Sequence, residues 1–219
     1  MTAFDHFSPA ALTFLRDLKA NNRRDWFQAN KPVYEAEIRD PAKHFGVAMS
    51  AALEALTGAP HLPKIYRINR DIRFSKDKTP YNTHLHLSFA PQPATANTPM
   101  WFFGLNTEKL SLGCGVFQFD KPGLAAFRAR VSGTAGAQLI DLTARLAGKG
   151  VRVSPPELKR VPPGFDAAHP HSEVLRRKGF AAWIDLPDTR FVTAPGLVKR
   201  TTQALERLHP VFDILRHLT

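Results

Sequence analysis

Residues 84–119, HLHLSFAPQPATANTPMWFFGLNTEKLSLGCGVFQF, decide the fold class. Leu85, Leu87 and Phe89 alternate with His84, His86 and Ser88, the period-two signature of a strand with one buried face. The Pro-, Ala- and Thr-rich run Pro91–Pro99 reads as a loop. Trp101–Leu105 and Leu110–Phe119 follow as two further strands joined through Asn106–Lys109. Upstream, Tyr66, Ile68, Ile72 and Phe74 alternate with Arg67, Asn69, Asp71 and Arg73, which predicts a strand over 66–74. Four strands with short links predict an antiparallel meander.

Helical patterns lie on both sides. Ser8-Pro9 is an N-cap and first-turn pair, and Leu12, Leu15 and Leu18 repeat at helical spacing, so 9–20 is expected to be an amphipathic helix ended by Asn21-Asn22. A short helix is expected around 24–30, with Trp26 and Phe27. Pro32 is expected to open another, with Tyr34 and Ile38 inward. Asp40-Pro41 opens a helix through Phe45, Met49, Leu53 and Leu56, closed near Gly58. After the meander, helices are expected at 122–131 and 135–146, a short strand at 151–153, a short helix at 171–178 and a strand at 180–186. A last helical stretch from Gly196 carries Leu205, Leu208, Phe212 and Leu215 on one face, and Pro210 should split it. The expected architecture is α+β: one domain over 1–219, a mostly antiparallel sheet preceded and followed by helices.

The 219 residues are 43% hydrophobic and 22% charged, ordinary for a globular protein. No stretch reaches the ~18 uninterrupted apolar residues of a membrane helix, and Met1–Leu15 lacks the pattern of a secretory signal. With one cysteine, Cys114, the chain has no intrachain disulfide. These features favour a cytoplasmic protein with no membrane partner.

Charge is the unusual property. Thirty Lys and Arg against nineteen Asp and Glu give a net +11, a balance that attracts polyanions. From Lys64 to Pro80, Lys64, Arg67, Arg70, Arg73, Lys76 and Lys78 face only Asp71 and Asp77, a net +4. From Lys159 to Lys178, Lys159, Arg160, Arg176, Arg177 and Lys178 face Asp166 and Glu173, a net +3. A strand reading puts Arg67, Asn69, Asp71 and Arg73 on one face, about 7 Å between successive members. Arg70 then falls among apolar neighbours and must find a partner, either a carboxylate of the fold or an anionic ligand.

Arg67, Arg70, Arg73, Lys76 and Lys78 are therefore the candidate anion-binding residues, with Arg176 and Lys178 as candidates from the second segment. Asp71 and Asp77 are the candidate acid–base groups should the protein be an enzyme acting on an anionic substrate. The leading expectation is binding of a phosphorylated or otherwise anionic small molecule. Sequence-independent nucleic-acid binding is the alternative.

Other chemistry is weaker. His84 and His86 share a strand face and could approach His169 or His171, but no zinc signature accompanies them, and no metal or other cofactor is implied. Cys114, between Gly113 and Gly115, has no base tied to it in sequence and reads as a small filler. Trp26, Phe27, Tyr34, Trp101, Phe102 and Phe103 read as core first and base-stacking surface second. Oligomeric state is not readable.

Three motifs carry a resemblance: RINRDIRFSKDKTPY at 67–81, NNRRDWFQANKPVYE at 21–35 and LKRVPPGFDAAHPHSEVLRRKGF at 158–180. Together they resemble the family called domain of unknown function 2461, with similarity from about Phe14 to Leu215. Leu112-Gly113-Cys114-Gly115 is similar to that family's glycine-rich strand, with cysteine where another glycine is expected. The resemblance implies no established activity, cofactor or substrate.

Overall fold

The computed structural model describes residues 4–218. Helix α1 spans Pro9–Ala20, buries Ala11, Phe14, Leu15 and Leu18, and ends where the Asn21 amide bonds Asp17 O. Helix α2, Arg24–Tyr34, passes through a π turn at Glu35–Arg39 directly into α3, Asp40–Thr57. Pro32 does not open a helix, contrary to expectation; it lies inside α2. The Tyr34 ring packs on Phe14 and Phe27 at 5.8 and 5.3 Å, which holds the segment helical across the proline. Gly58 closes α3 in the left-handed conformation, with φ 75°.

Strands β1 (His61–Ile65), β2 (Leu85–Pro91), β3 (Met100–Leu105), β4 (Leu110–Val116), β5 (Arg152–Val153) and β6 (Phe180–Leu186) form one antiparallel sheet, ordered β1-β2-β3-β4-β6-β5. The α+β class and the meander are as the sequence predicts, with one correction. The strand expected over 66–74 does not form; β1 precedes it. Alternation there does not mark a buried face: Phe74 is 95% exposed, and only Ile68 of the apolar set is buried. Residues 66–82 instead form an irregular hairpin.

After β4 come α4 (Lys121–Val131) and α5 (Thr134–Ala147), then β5, the single turn α6 (Ser172–Leu175), β6, a 3₁₀ turn at Thr189–Val192, α7 (Leu197–Glu206) and α8 (His209–Arg216). The α7–α8 break falls beside Pro210, as expected. Helix α6 is shorter than the expected 171–178 and ends at Leu175.

The chain divides into two compact units. The first comprises the chain up to Phe89, Phe102–Ser111 and Leu186–Gln203; its core centres on Phe45, whose ring lies 5.7 Å from Phe7 and 4.7 Å from Phe103. The second comprises Ala90–Trp101, Leu112–Asp185 and the chain from Ala204; there Trp101 stacks on Phe212 at 5.2 Å, and Phe119 on Phe127 at 4.7 Å. Among the described residues no helix is long and apolar enough to cross a membrane.

Candidate anion-binding site

The hairpin 66–82 lies wholly in the first unit. Its base is closed by Arg70 N to Pro80 O (2.9 Å) and Asn82 N to Ile68 O (2.7 Å), on either side of an antiparallel bridge between Asn69 and Tyr81. Tyr81 stacks on Phe27 of α2 at 4.1 Å. The Asn22 side chain donates to Tyr81 O and accepts from Tyr81 N, at 2.8 and 3.1 Å. The hairpin is thereby fastened to the start of α2.

Most of its charges are satisfied internally. Arg70 Nη1 donates to Asp77 Oδ2 at 2.6 Å, to Thr79 O at 3.0 Å and to the Thr79 hydroxyl. The apolar face expected around Arg70 does not form, but the half-buried guanidinium still takes a carboxylate of the fold, Asp77, as its partner. Arg73 makes a two-pronged pair with Asp71 at 3.0 and 2.7 Å. The Lys78 ammonium donates to Ile72 O at 3.0 Å. Among the described residues, the Arg67 guanidinium and the Lys76 ammonium have no hydrogen-bond or ion-pair partner.

Both carboxylates are held in the charged form. The Thr79 amide, then the Arg70 guanidinium and the Thr79 hydroxyl, pull Asp77 down to about 2. Hydrogen bonds from the Arg73 side chain and amide lower Asp71. Both therefore stand as charged hydrogen-bond acceptors at neutral pH.

Arg67 leads to a cleft of about 510 Å³ between the helical run and residues 65–69. Its walls carry Lys31, Tyr34, Glu35, Arg39, Lys43 and Arg67, with Phe27, Ile65, Tyr66, Ile68 and Asn69. Lys31, Glu35, Arg39 and Lys43 stand at four-residue intervals. In a regular helix each such step drifts by about 40° around the axis; the π turn at Glu35–Arg39 is wider and offsets the drift, so all four reach one cleft. Arg39 is paired with both oxygens of Glu35 at 2.9 and 2.8 Å, and Lys43 with Asp40 at 2.7 Å. The Lys31 ammonium has no such partner among the described residues. Burial raises the Tyr34 hydroxyl above its ordinary value, so it remains a neutral donor. Four cations thus face one lining carboxylate.

Two smaller clefts flank the hairpin. One of about 370 Å³ is lined by Lys19, Asn22, Arg70, Asp77 and His84 among others, and one of about 360 Å³ by Arg67, Asn69, Asp71, Asn82, His84 and His86 among others. His84 and His86 share a face, as their spacing predicts, with rings stacked at 3.8 Å. Although part of His86 meets solvent, burial of its ring and the neighbouring His84 push it down to about 4. His84 is also lowered, by burial and then by Arg70.

The second basic segment lies in the second unit. Arg176 Nε donates to Ser172 O at 3.3 Å, and the Lys178 amide to Glu157 at 2.8 Å. The buried cation there is Arg177, which the sequence reading did not single out. It pairs with Glu173 at 2.7 Å, donates to Ser154 O, lies over the Phe180 ring at 5.1 Å, and keeps an unpartnered, buried Nε.

Cys114 is fully buried, and burial, then Asp213, raises its thiol well above the ordinary value, which favours the neutral thiol. His169 Nδ1 accepts from His171 N at 3.0 Å, and His171 Nδ1 bonds Val131 O of α4 at 2.9 Å, in the unit that does not hold His84. Among the described residues no group of three or more His, Cys, Asp or Glu is placed to hold a metal ion.

The cleft residues that sequence reading missed are Lys31, Arg39 and Lys43, with Tyr34 read as core first and base-stacking surface second. The four-residue spacing from Lys31 to Lys43 was the available signal, but only the π turn makes it one face.

Fold and site together define an α+β protein with a cation-lined cleft beside a braced basic hairpin. The chain belongs to the family described as conserved hypothetical protein (DUF2461), whose model matches residues 10–213. Comparison with curated proteins finds no match.

Proposed function

We propose that this protein binds a small phosphorylated or otherwise anionic molecule in the cleft beside Arg67. The observation that carries the reading is that Lys31 and Arg67 enter the same cleft unpaired, next to Arg39 and Lys43, with one lining carboxylate. Unpaired cations facing each other across a cleft repel unless an anion sits between them. Guanidinium and ammonium groups are the donors that phosphate and carboxylate favour. Tyr34, Asn69 and Tyr66 supply neutral donors and an apolar wall, the usual make-up of a small-ligand site.

Of the residues expected to bind the anion, this reading keeps Arg67 and gives Arg70 and Arg73 the task of shaping the hairpin. The lone, buried Cys114 suits a reducing, cytoplasmic setting. Calorimetric titration with inorganic pyrophosphate tests the site. Arg67→Ala and Lys31→Ala should each weaken binding by about 10- to 100-fold, the worth of a charge-assisted hydrogen bond. Wild-type affinity in both variants, or no binding by the parent, refutes the reading.

A further inference from the structure

Phe74 is 95% exposed, ahead of Val47 at 69% and Leu62 at 59% among the exposed large apolar residues. Its loop is not slack. Arg70 ties Asp77 and Thr79 across it, Lys78 bonds Ile72 O, Ser75 N bonds Ile72 O at 3.3 Å, and Thr79 N bonds Asp77 at 2.9 Å. The internal bonds of this loop brace the backbone that carries the outward aromatic ring.

The surroundings of the ring are cationic and polar. The Arg73 guanidinium, held by Asp71, lies 5.8 Å from its centre. Lys76 follows two residues on with no partner among the described residues. From Arg67 to Lys78 the chain carries five cations and two carboxylates. The clefts beside the hairpin are lined mainly by polar groups, Lys19, Asn22, Asn82 and His84 among them.

We infer that the hairpin tip is a contact for single-stranded nucleic acid, with one base stacked on Phe74 and the flanking phosphates met by Lys76 and by the Nη1 that Arg73 does not use on Asp71. A membrane surface would ask for several adjoining apolar side chains or a second anchor; here one ring stands among charges and polar clefts. One aromatic is sufficient for one base, and every base offers a face regardless of sequence. A single strand is specified because a paired base keeps both faces stacked. This surface is separate from the cleft beside Arg67 and does not depend on a ligand there.

The test is fluorescence anisotropy of a labelled short oligothymidylate with the full chain at about 50 mM salt. Phe74→Ala should weaken binding roughly five- to hundredfold, the range for loss of one base–aromatic stack. Phe74→Trp should restore or exceed parental affinity, and a blunt duplex should bind more weakly than the single strand. Lys31→Ala should retain oligonucleotide binding while losing pyrophosphate, and Phe74→Ala should do the reverse, so either site can fail alone. Equal affinity of parent and Phe74→Ala overturns the inference, as does absence of oligonucleotide binding. Phe74-dependent sedimentation with phosphatidylserine vesicles, without Phe74-dependent oligonucleotide binding, overturns it in favour of a lipid surface.

Discussion

Arg67 and Arg70 sit three residues apart in one basic run and meet opposite circumstances. Arg70 is locked to Asp77 and Thr79, whereas Arg67 opens on a cleft. The strand reading puts Arg70 on an apolar face and so demands a partner; the strand does not form, yet the half-buried Arg70 is paired all the same, with the carboxylate that the hairpin turn brings round. Titration of these groups gives the residue-scale prediction. In the fold His86 is pushed from its ordinary 6.5 to about 4, so the native state favours the neutral ring. Its stabilising contribution is complete above pH 6.5 and is lost as pH falls from 6.5 through 4. Asp77 is lowered from 3.8 to about 2, so its contribution is complete above pH 3.8 and is lost as pH falls from there toward 2. Urea midpoints between about pH 7 and pH 4 should therefore fall with acid in the parent. The fall should be shallower in a His84→Gln/His86→Gln variant. Asp77→Asn should lower the midpoint above about pH 4, where the charged carboxylate contributes in full, and converge on the parent as pH falls toward 2. An unchanged slope in the histidine variant would show that the stacked pair is not the titrating element.

At the scale of elements, legibility followed how a segment acquires its shape. Strands β2, β3, β4 and β6 were readable because their apolar residues really are buried, Leu85, Leu87 and Phe89 among them. The run 66–74 has the same alternation but no layer to cover Ile72 and Phe74, and past Tyr66, whose amide bonds His86 O of β2, the side chains of Arg70 and Arg73 bond within the hairpin. The π turn was not readable, because Lys31 through Lys43 is compatible with an unbroken helix. The glycine-rich strand β4 has a steric reason that only the packed sheet discloses. At Gly115, with φ 147°, a Cβ would lie 2.0 Å from Phe180 O and 2.6 Å from Ala181 Cα, both backbone atoms of β6 that cannot swing away. Gly115→Ala should cost about 3 kcal/mol or more. Gly150, with φ 73° and open space for 4 Å around the place a Cβ would take, separates strain from clash. Gly150→Ala should cost only about 1–2 kcal/mol. Denaturant midpoints compare the two directly, and equal losses would remove steric contact with β6 as the cause.

Over the whole molecule, the net +11 must be carried against its own repulsion. The sequence located the excess in two windows but could not sort charges that hold the fold from charges left over. That sorting depends on partners distant in the chain, as when residues 31–43 meet 65–69. Stability provides the sorting experiment. Arg177 is 3% exposed and satisfies Ser154 O, so Arg177→Met should lose about 1–3 kcal/mol as that carbonyl goes unpaired. Among the described residues Lys31, Arg67 and Lys76 make no hydrogen bond or ion pair, and only Arg67 attracts a carboxylate, Asp71, through space, so Lys31→Gln, Arg67→Gln and Lys76→Gln should leave the melting temperature nearly unchanged or raise it at low ionic strength. Any gain should fade above about 0.1 M salt, where the Debye length is about 10 Å and repulsion is screened. Cations that raise stability when removed, yet weaken pyrophosphate binding at Lys31 and Arg67 or oligonucleotide binding at Lys76, are retained for a ligand at the expense of the fold. If the three glutamine variants instead melt lower than the parent at every salt concentration, these side chains serve the fold as Arg177 does, and the basic surface loses its claim to a partner.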